Sequence, residues 1–400
     1  MVLLVRIATI ALAVFIGASF HGAKANPTLV IDANSGAVLH ADKAGTPWYP
    51  ASLTKLLTAY ITFERLRDDP DFTLDTKIRV SARAAKEPPS KVGMPAGQRV
   101  TVKKALEALI VYSANDMAVV LAEGVGGKFA TFIKRMNDTA ARLGMSASHF
   151  FNPNGLPHDG QTTTARDLGV LALALIKDFP EHAELFSMKS IRWGKRRINA
   201  RNSMLRTFEG ADGMKTGYIC ASGYNLVASA TQDGKRLIAV ILGAPSSSFR
   251  TDIARHLLNT AFGRNGAPAV DFGKVSDLSN DASDFVRPVN LRPQICAKDR
   301  KRPKITKSAN LDGWGVLFGH YSTLKKAQNG LGRNLAALRG VATRGKAAAV
   351  RGRKKGRNAA VLAGLSFEDM LAVCDHLAKG GARCATLDPN EVRNPKAQWR

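Results

Sequence analysis

Between Asn26 and Arg264, two strand-like segments open the chain, two more close it, and helical periodicity fills most of the space between them. At the front, Thr28–Asp32 and Ala37–His40 flank Asn34-Ser35-Gly36, a turn signal between two short apolar runs. At the back, Tyr224–Thr231 and Arg236–Leu242 bracket Asp233-Gly234, a dipeptide whose tolerance of positive φ suits a tight hairpin. Ser52–Leu66 carries apolar residues at 53, 56, 57, 60, 61 and 63, the stripe of a buried helix. Val102–Val125 and Phe129–Leu143 are further helical stretches, and Ser247–Phe262 closes the region as a helix. Strands at both ends with helices between predict one α/β (α+β) unit whose terminal strands share a sheet.

Beyond this unit the chain changes character. Its 400 residues exceed one ordinary core, and a hydrophobic share of 45% excludes a mostly disordered chain. Residues 265–310 are rich in Pro, Asp, Ser, Arg and Lys and hold no period, which reads as a basic linker. Residues 311–388 read as a small α+β piece. Its strands are Trp314–Tyr321, Ala359–Leu365 and Cys384–Leu387, its helices Thr323–Leu338 and Phe367–Lys379, with a basic stretch at the centre. Residues 389–400 are a tail. The net charge is +26, from 58 Lys and Arg against 32 Asp and Glu. Tyr321 to Ala360 holds eleven Lys or Arg and no acidic residue, so the excess sits in the C-terminal third.

Residues 1–25 read as a secretory signal, with Arg6, an apolar run from Ile7 to Phe20 and Ala23-Lys24-Ala25 at the cleavage position. That run is shorter than the roughly 18 residues of a membrane-spanning helix. Export argues against nucleic acid as the partner of the positive charge and places the four cysteines where disulfides form. The basic segment has two readings: a solvated tether, or an electrostatic contact with anionic lipid or wall polymer. The histidines are scattered without H-E-x-x-H or a Cys–His cluster, so the sequence supports neither a metal site nor a cofactor.

Three short motifs carry the chemistry. Ser52-Leu53-Thr54-Lys55 follows Tyr49-Pro50-Ala51 at a helix start, where residues three apart share a face, so Lys55 can address the Ser52 hydroxyl. A serine needs a base to become a nucleophile, and a lysine serves only if burial or a nearby cation lowers its pKa. The helix N-terminus also favours the oxyanion of acyl transfer. Ser113-Ala114-Asn115 lies between helical stretches and offers a proton relay and an amide. Lys215-Thr216-Gly217 lies just before a strand, where a side-chain-free Gly217 lets a substrate lie flat against an edge. Lys215 and Thr216 supply a cation and a donor for a substrate carboxylate. Each motif alone is weak: Ser322–Lys325 repeats the first pattern and Ser308–Asn310 the second. The ordered set is specific, and it is the triple of class A β-lactamases and penicillin-binding proteins.

The stretch Asn26–Arg264 resembles the low-molecular-mass penicillin-binding proteins, specifically the D-alanyl-D-alanine carboxypeptidases. The similarity extends through Tyr49–Lys55, Lys91–Met94, Tyr112–Asp116, Thr164–Asp167, Gly213–Gly217 and Gly223–Ser229. It implies an antiparallel sheet flanked by helices with a helical lobe, the active site lying between them. It further implies Ser52 as the acylated nucleophile, Lys55 as its base, and Ser113 and Asn115 as one wall. Lys215, Thr216 and Gly217 form the other wall, with backbone N–H groups of Ser52 and Tyr218 as the oxyanion hole. Arg250 fits, by spacing, the arginine that holds the terminal carboxylate; its alternative is a solvated charge on the last helix. Tyr218-Ile219 departs from the small or polar residues of many relatives and narrows that end of the cleft. The implied reaction removes the last D-alanine of peptidoglycan stem peptides through an acyl-enzyme, without cofactor, and β-lactams inhibit it. A D,D-endopeptidase, a β-lactamase and a non-catalytic wall-binding protein are the alternatives. Glu64 and Asp167 are the carboxylates near the site, and neither is assigned as the deacylation base.

The C-terminal piece resembles a SPOR domain through Trp314–Tyr321, Ala363–Ser366 and Leu371–Cys374, followed by Leu377, Gly381 and Cys384. That resemblance implies binding to glycan strands stripped of stem peptides. Cys374 on the last helix and Cys384 at the last strand suit a disulfide, with two buried thiols as the alternative. Cys220 and Cys296 have no evident partner.

Overall fold

The computed structural model describes residues 27–264, 272–281, 288–296, 313–338, 346–351, 358–379, 384–389 and 392. Residues 1–25, read as a secretory signal, lie outside the described residues, as do parts of the stretch read as a linker, the basic stretch and the tail. Strands β1 (Thr28–Asp32) and β2 (Val38–Asp42) form the opening hairpin. A 3₁₀ turn, Ala51–Leu53, runs into α1 (Thr54–Asp68). The short antiparallel pair β3 (Lys77–Arg79) and β4 (Arg99–Thr101) encloses α2 (Ala82–Lys86). Helix α3 (Val102–Glu107) passes into a π-helical turn, Ala108–Tyr112, followed by α4 (Asn115–Gly126), α5 (Phe129–Arg142), α6 (Ala165–Asp178) and α7 (Glu184–Ser187). After the β5 (Ser190–Trp193) and β6 (Arg196–Asn199) hairpin come α8 (Met204–Thr207), β7 (Ala211–Ile219), β8 (Gly223–Gln232), β9 (Lys235–Ala244) and α9 (Ser247–Ala261).

The main sheet has the order β2-β1-β9-β8-β7, with every pair antiparallel. The first strand therefore meets the last, Val30 opposite Ala239. Period-two alternation sends the two sets of strand side chains into two different cores. Leu29, Ile31, Val227, Ile238 and Val240 face α1, α6 and the helical lobe. Val30, Leu226, Ala228, Leu237 and Ala239 face Phe249, Ile253 and Leu258 of α9. Covered on both faces, the central strands read as nearly continuous apolar runs. Helix α1 is buried from Thr54 to Glu64 because α4, α5 and α6 all pack against it. This layering leaves β7 as the open edge, directly beside the turn that carries Ser52.

Residues 265–310, read as a linker, bind back to this unit over their described parts. Val38 N donates to Gly273 O (2.7 Å) and Phe272 N to Val38 O (3.0 Å), extending the β2 edge. Asn280 Nδ2 donates to Asp167 Oδ1 at 3.0 Å, and Thr164 Oγ1 to Asn280 Oδ1 at 2.8 Å. Helix α10 (Arg292–Ile295) ends at Cys296, which is disulfide-bonded to Cys220 across 76 residues. No local pattern announces a pair so far apart.

The C-terminal piece comprises β10 (Trp314–Tyr321), α11 (Leu324–Ala337), β11 (Lys346–Arg351), β12 (Asn358–Leu365), α12 (Phe367–Lys379) and β13 (Ala385–Leu387). Its sheet order is β11-β12-β10-β13. Strand β11 is unexpected: Arg, Lys and Ala mask its pattern, and it pairs in register with the apolar β12, Ala348 opposite Val361. Cys374 and Cys384 are joined by a disulfide. Trp314, Phe367, Met370 and Val373 share one apolar cluster with Phe249 and Leu258 of α9.

Candidate active site

Ser52 occupies the 3₁₀ turn between Pro50 and α1, and its neighbour Ala51 has φ +49°. Such a value is strained for a residue with a side chain and persists only where the surroundings enforce it. They do so from two sides. Asn225 Nδ2 on β8 donates to Tyr49 O (2.9 Å) and Pro50 O (3.2 Å), while its Oδ1 accepts from Gly243 N on β9 (2.9 Å). Gly155 (φ +80°) packs so closely beneath that a Cβ there would overlap the Ala51 carbonyl.

One turn along α1, Lys55 Nζ lies 3.0 Å from Ser52 Oγ, 2.8 Å from Asn115 Oδ1 and 2.6 Å from Asn154 O. The residue is fully buried, and desolvation pulls its amine down from 10.5 to about 7, against an upward pull from Glu87 and Asp116. At pH 7 a substantial fraction of the amine is therefore neutral, the form that can accept the Ser52 proton.

The opposite wall comes from the π-helical turn. It ends at Ser113, which has φ +66°, and α4 begins at Asn115. This kink aims two nearby side chains at two different lysines. Asn115 holds Lys55, and its Nδ2 donates to Pro88 O at 2.9 Å. Ser113 Oγ accepts from Lys215 Nζ at 2.9 Å, and Thr216 O accepts from the same amine at 2.8 Å. Lys215 is buried, and its amine lies well below its ordinary value through desolvation and then the charges of Lys55, Arg250 and Arg201. The two motifs 102 residues apart thus meet through one hydrogen bond.

The Lys215–Gly217 motif lies inside the edge strand β7, where the sequence places it just before a strand. Gly217 is also required for a second reason: a Cβ there would meet Pro50 O at 3.0 Å and Ser52 N at 3.2 Å. It lets the edge strand and the serine turn approach closely. Tyr218 comes next, 43% exposed, its ring tilted 33° against that of Tyr224 with centroids 4.4 Å apart. Arg250 on α9 is 5% exposed rather than solvated; its Nη1 donates to Asn225 O at 3.3 Å. Desolvation lowers its guanidinium to about 10.

Glu64 and Asp167 belong elsewhere. Glu64 pairs with Arg135 and Arg142, and Asp167 with Arg166, Ser148 and the Ala147 N–H. Four residues are given no role by the motif reading: Glu87, Asn154, Gly155 and Asn225, the last within the family-like stretch Gly223–Ser229. Only Asn152-Pro-Asn-Gly155 carries a local signal, that of a turn. Among the described residues no group of His, Cys, Asp or Glu could hold a metal, and no helix is long and apolar enough to cross a membrane.

A family model described as D-alanyl-D-alanine carboxypeptidase matches residues 16–246. D-alanyl-D-alanine carboxypeptidase DacD of Escherichia coli (strain K12) is 38% identical over 238 residues, 58% of this chain and 61% of that one. The chain thus spans about three fifths of that curated relative's length. The crystal structure of DacD from Francisella tularensis has a TM-score of 0.58 at 31% identity, covering 66% of this chain and 73% of that one. Penicillin-binding protein D2 of Listeria monocytogenes, solved in its cefotaxime-bound form, has a TM-score of 0.54 at 30% identity, covering 60% and 97%. With a family match over more than half its residues and the shared fold, the chain belongs to the D-alanyl-D-alanine carboxypeptidase family of S11 peptidases.

Proposed function

We propose that the protein is an exported serine-type D-alanyl-D-alanine carboxypeptidase that trims peptidoglycan stem peptides. The observation that carries this reading is the buried Lys55 amine 3.0 Å from Ser52 Oγ, with its pKa lowered to about 7. Lys55 takes the hydroxyl proton as Ser52 Oγ attacks the carbonyl between the last two D-alanines. The oxyanion lies between the backbone N–H groups of Ser52 and Tyr218. Lys215, Thr216 and Arg250 bind the terminal carboxylate, and Asn115 orients the peptide. Ser113, bonded to Lys215, relays to the departing D-alanine amine the proton that Lys55 took from Ser52, as the C–N bond breaks. Water then hydrolyses the ester. A β-lactam ring undergoes the same attack and leaves a slow ester, in keeping with a relative solved with cefotaxime bound.

The SPOR-like piece, residues 311–388, holds denuded glycan strands, and the basic segment adds contact with anionic wall polymer or lipid at the cell envelope. Intact-mass analysis after incubation with a β-lactam tests the catalytic reading. An adduct is expected on the parent chain and none on Ser52→Ala; no adduct on the parent would leave a wall-binding protein. Release of free D-alanine from a pentapeptide, rather than cleavage of a cross-linked dimer, separates the carboxypeptidase from an endopeptidase. Rapid turnover of the penicillin ester would indicate a β-lactamase.

A further inference from the structure

The end of the edge strand beyond Tyr218 is built in a way the reaction above does not use. Cys220, one residue past β7, is bridged to Cys296, and Leu291 N donates to Ala221 O at 2.8 Å. Segment 288–296 is thereby fastened across the strand end, with Val289 and Leu291 packed against the main core. Tyr218 Oη lies 3.3 Å from Cys296 Sγ, so the tyrosine and the bridge form one continuous surface. Its ring is 43% exposed, and its other side is covered by Tyr224.

A substrate paired with the edge of β7 has a fixed direction. Its carboxylate lies toward Lys215 and Thr216, and its reacting carbonyl beside the Tyr218 N–H. The residue before the two D-alanines must then lie toward Cys220, since a strand advances about 3.3 Å per residue. We propose that Tyr218, the Cys220–Cys296 bridge and segment 288–296 form the wall that selects the side chain of that preceding residue, favouring a long aliphatic one. An aromatic ring beside sulfur gives methylene groups an apolar, polarisable face. This inference rests on the carboxypeptidase reading.

The test uses full-length chain and two acetylated tripeptides, Lys-D-Ala-D-Ala and Gly-D-Ala-D-Ala, with D-alanine release as readout. Acylation of Ser52 by a labelled penicillin serves as the control. The parent is expected to favour the lysyl peptide by at least about 10-fold in kcat/KM, carried by KM. Cys220→Ala/Cys296→Ala is expected to cut that preference to roughly threefold or less, with penicillin acylation within about twofold of the parent; Tyr218→Ala, whose backbone N–H serves the oxyanion, is judged by the ratio of the two peptides alone and is expected to cut it likewise. A chemical reductant is unsuitable because it would also open Cys374–Cys384. If the double variant loses acylation through misfolding, the ratio of the two peptides in Tyr218→Ala decides, whatever its absolute rate. No preference in the parent, or a preference unchanged in acylating variants, overturns the wall. No penicillin adduct on the parent overturns the carboxypeptidase reading and the wall with it.

Discussion

Lys55 faces two opposed demands: it must be buried to lose its proton and surrounded by acceptors to be held. The acceptors are Ser52, Asn115 and Asn154, and the carboxylates of Glu87 and Asp116 pull its pKa upward. Glu87 Oε2 also accepts from Asn154 Nδ2 at 2.9 Å, so it positions the loop that holds the amine. Activity requires the neutral amine, so kcat/KM should fall as pH drops through about 7. Glu87→Gln keeps an acceptor for Asn154 and removes the charge. Removing a nearby negative charge lowers a lysine pKa, so this acid limb should move to lower pH while the alkaline side stays put. A pH profile of penicillin acylation measures it; an unmoved limb would exclude Glu87 from tuning the base. Gly217→Ala probes the contact between strand and serine turn. With Pro50 O at 3.0 Å and Ser52 N at 3.2 Å from the new Cβ, the turn must shift. We expect acylation to slow on the order of 100-fold while the chain stays folded by circular dichroism.

At the scale of elements, legibility depends on how local the cause is. The Asp233-Gly234 hairpin was visible because its turn chemistry and flanking alternation lie within a few residues. Helix α1 showed its apolar positions because α4, α5 and α6 pack against it. The serine–lysine pair was legible because i and i+3 suffice to bring it together. The hidden features are those that depend on distance. Asn225 acts on a loop 175 residues away, Asn154 on a lysine 99 residues away, and Cys220 pairs across 76. Strand β11 stayed hidden because its partner β12, rather than its own residues, supplies the reason to be a strand. Asn225 ties Tyr49 and Pro50 to the sheet through three buried bonds. Asn225→Ala removes the bonds to Tyr49 O and Pro50 O and takes the side-chain acceptor from the buried Gly243 N–H, at a cost of about 2–3 kcal/mol. Chemical denaturation should report that loss with an unchanged m-value, alongside slowed acylation; a stability equal to the parent's would show the turn holds itself.

For the whole molecule, the question is how far the catalytic unit depends on the residues C-terminal to it. Two sets of contacts bear on this, and they can be removed separately. Residues 272–281 extend the β2 edge and complete the Arg166–Asp167 network, where Arg166 donates to Leu278 O (3.3 Å) and Ser276 O (3.2 Å). The C-terminal piece covers the outer face of α9: Phe249 lies 6.4 Å from Phe367 and 6.5 Å from Trp314, and His256 lies 4.6 Å from Phe367. A chain ending after Cys296 keeps the first set and the bridge to Cys220, and it uncovers only α9. Its melting temperature should fall by roughly 5 °C, and it should acylate at the parent rate. A chain ending after Arg264 also loses the bridge, the edge pairing and the bonds to Arg166. Its fall should be on the order of 10 °C or more, because buried carbonyl and guanidinium partners are lost along with apolar cover. Thermal unfolding of both truncations beside the full chain makes the measurement. Equal melting temperatures for all three would mean that residues beyond α9 contribute nothing to the stability of the unit that carries Ser52.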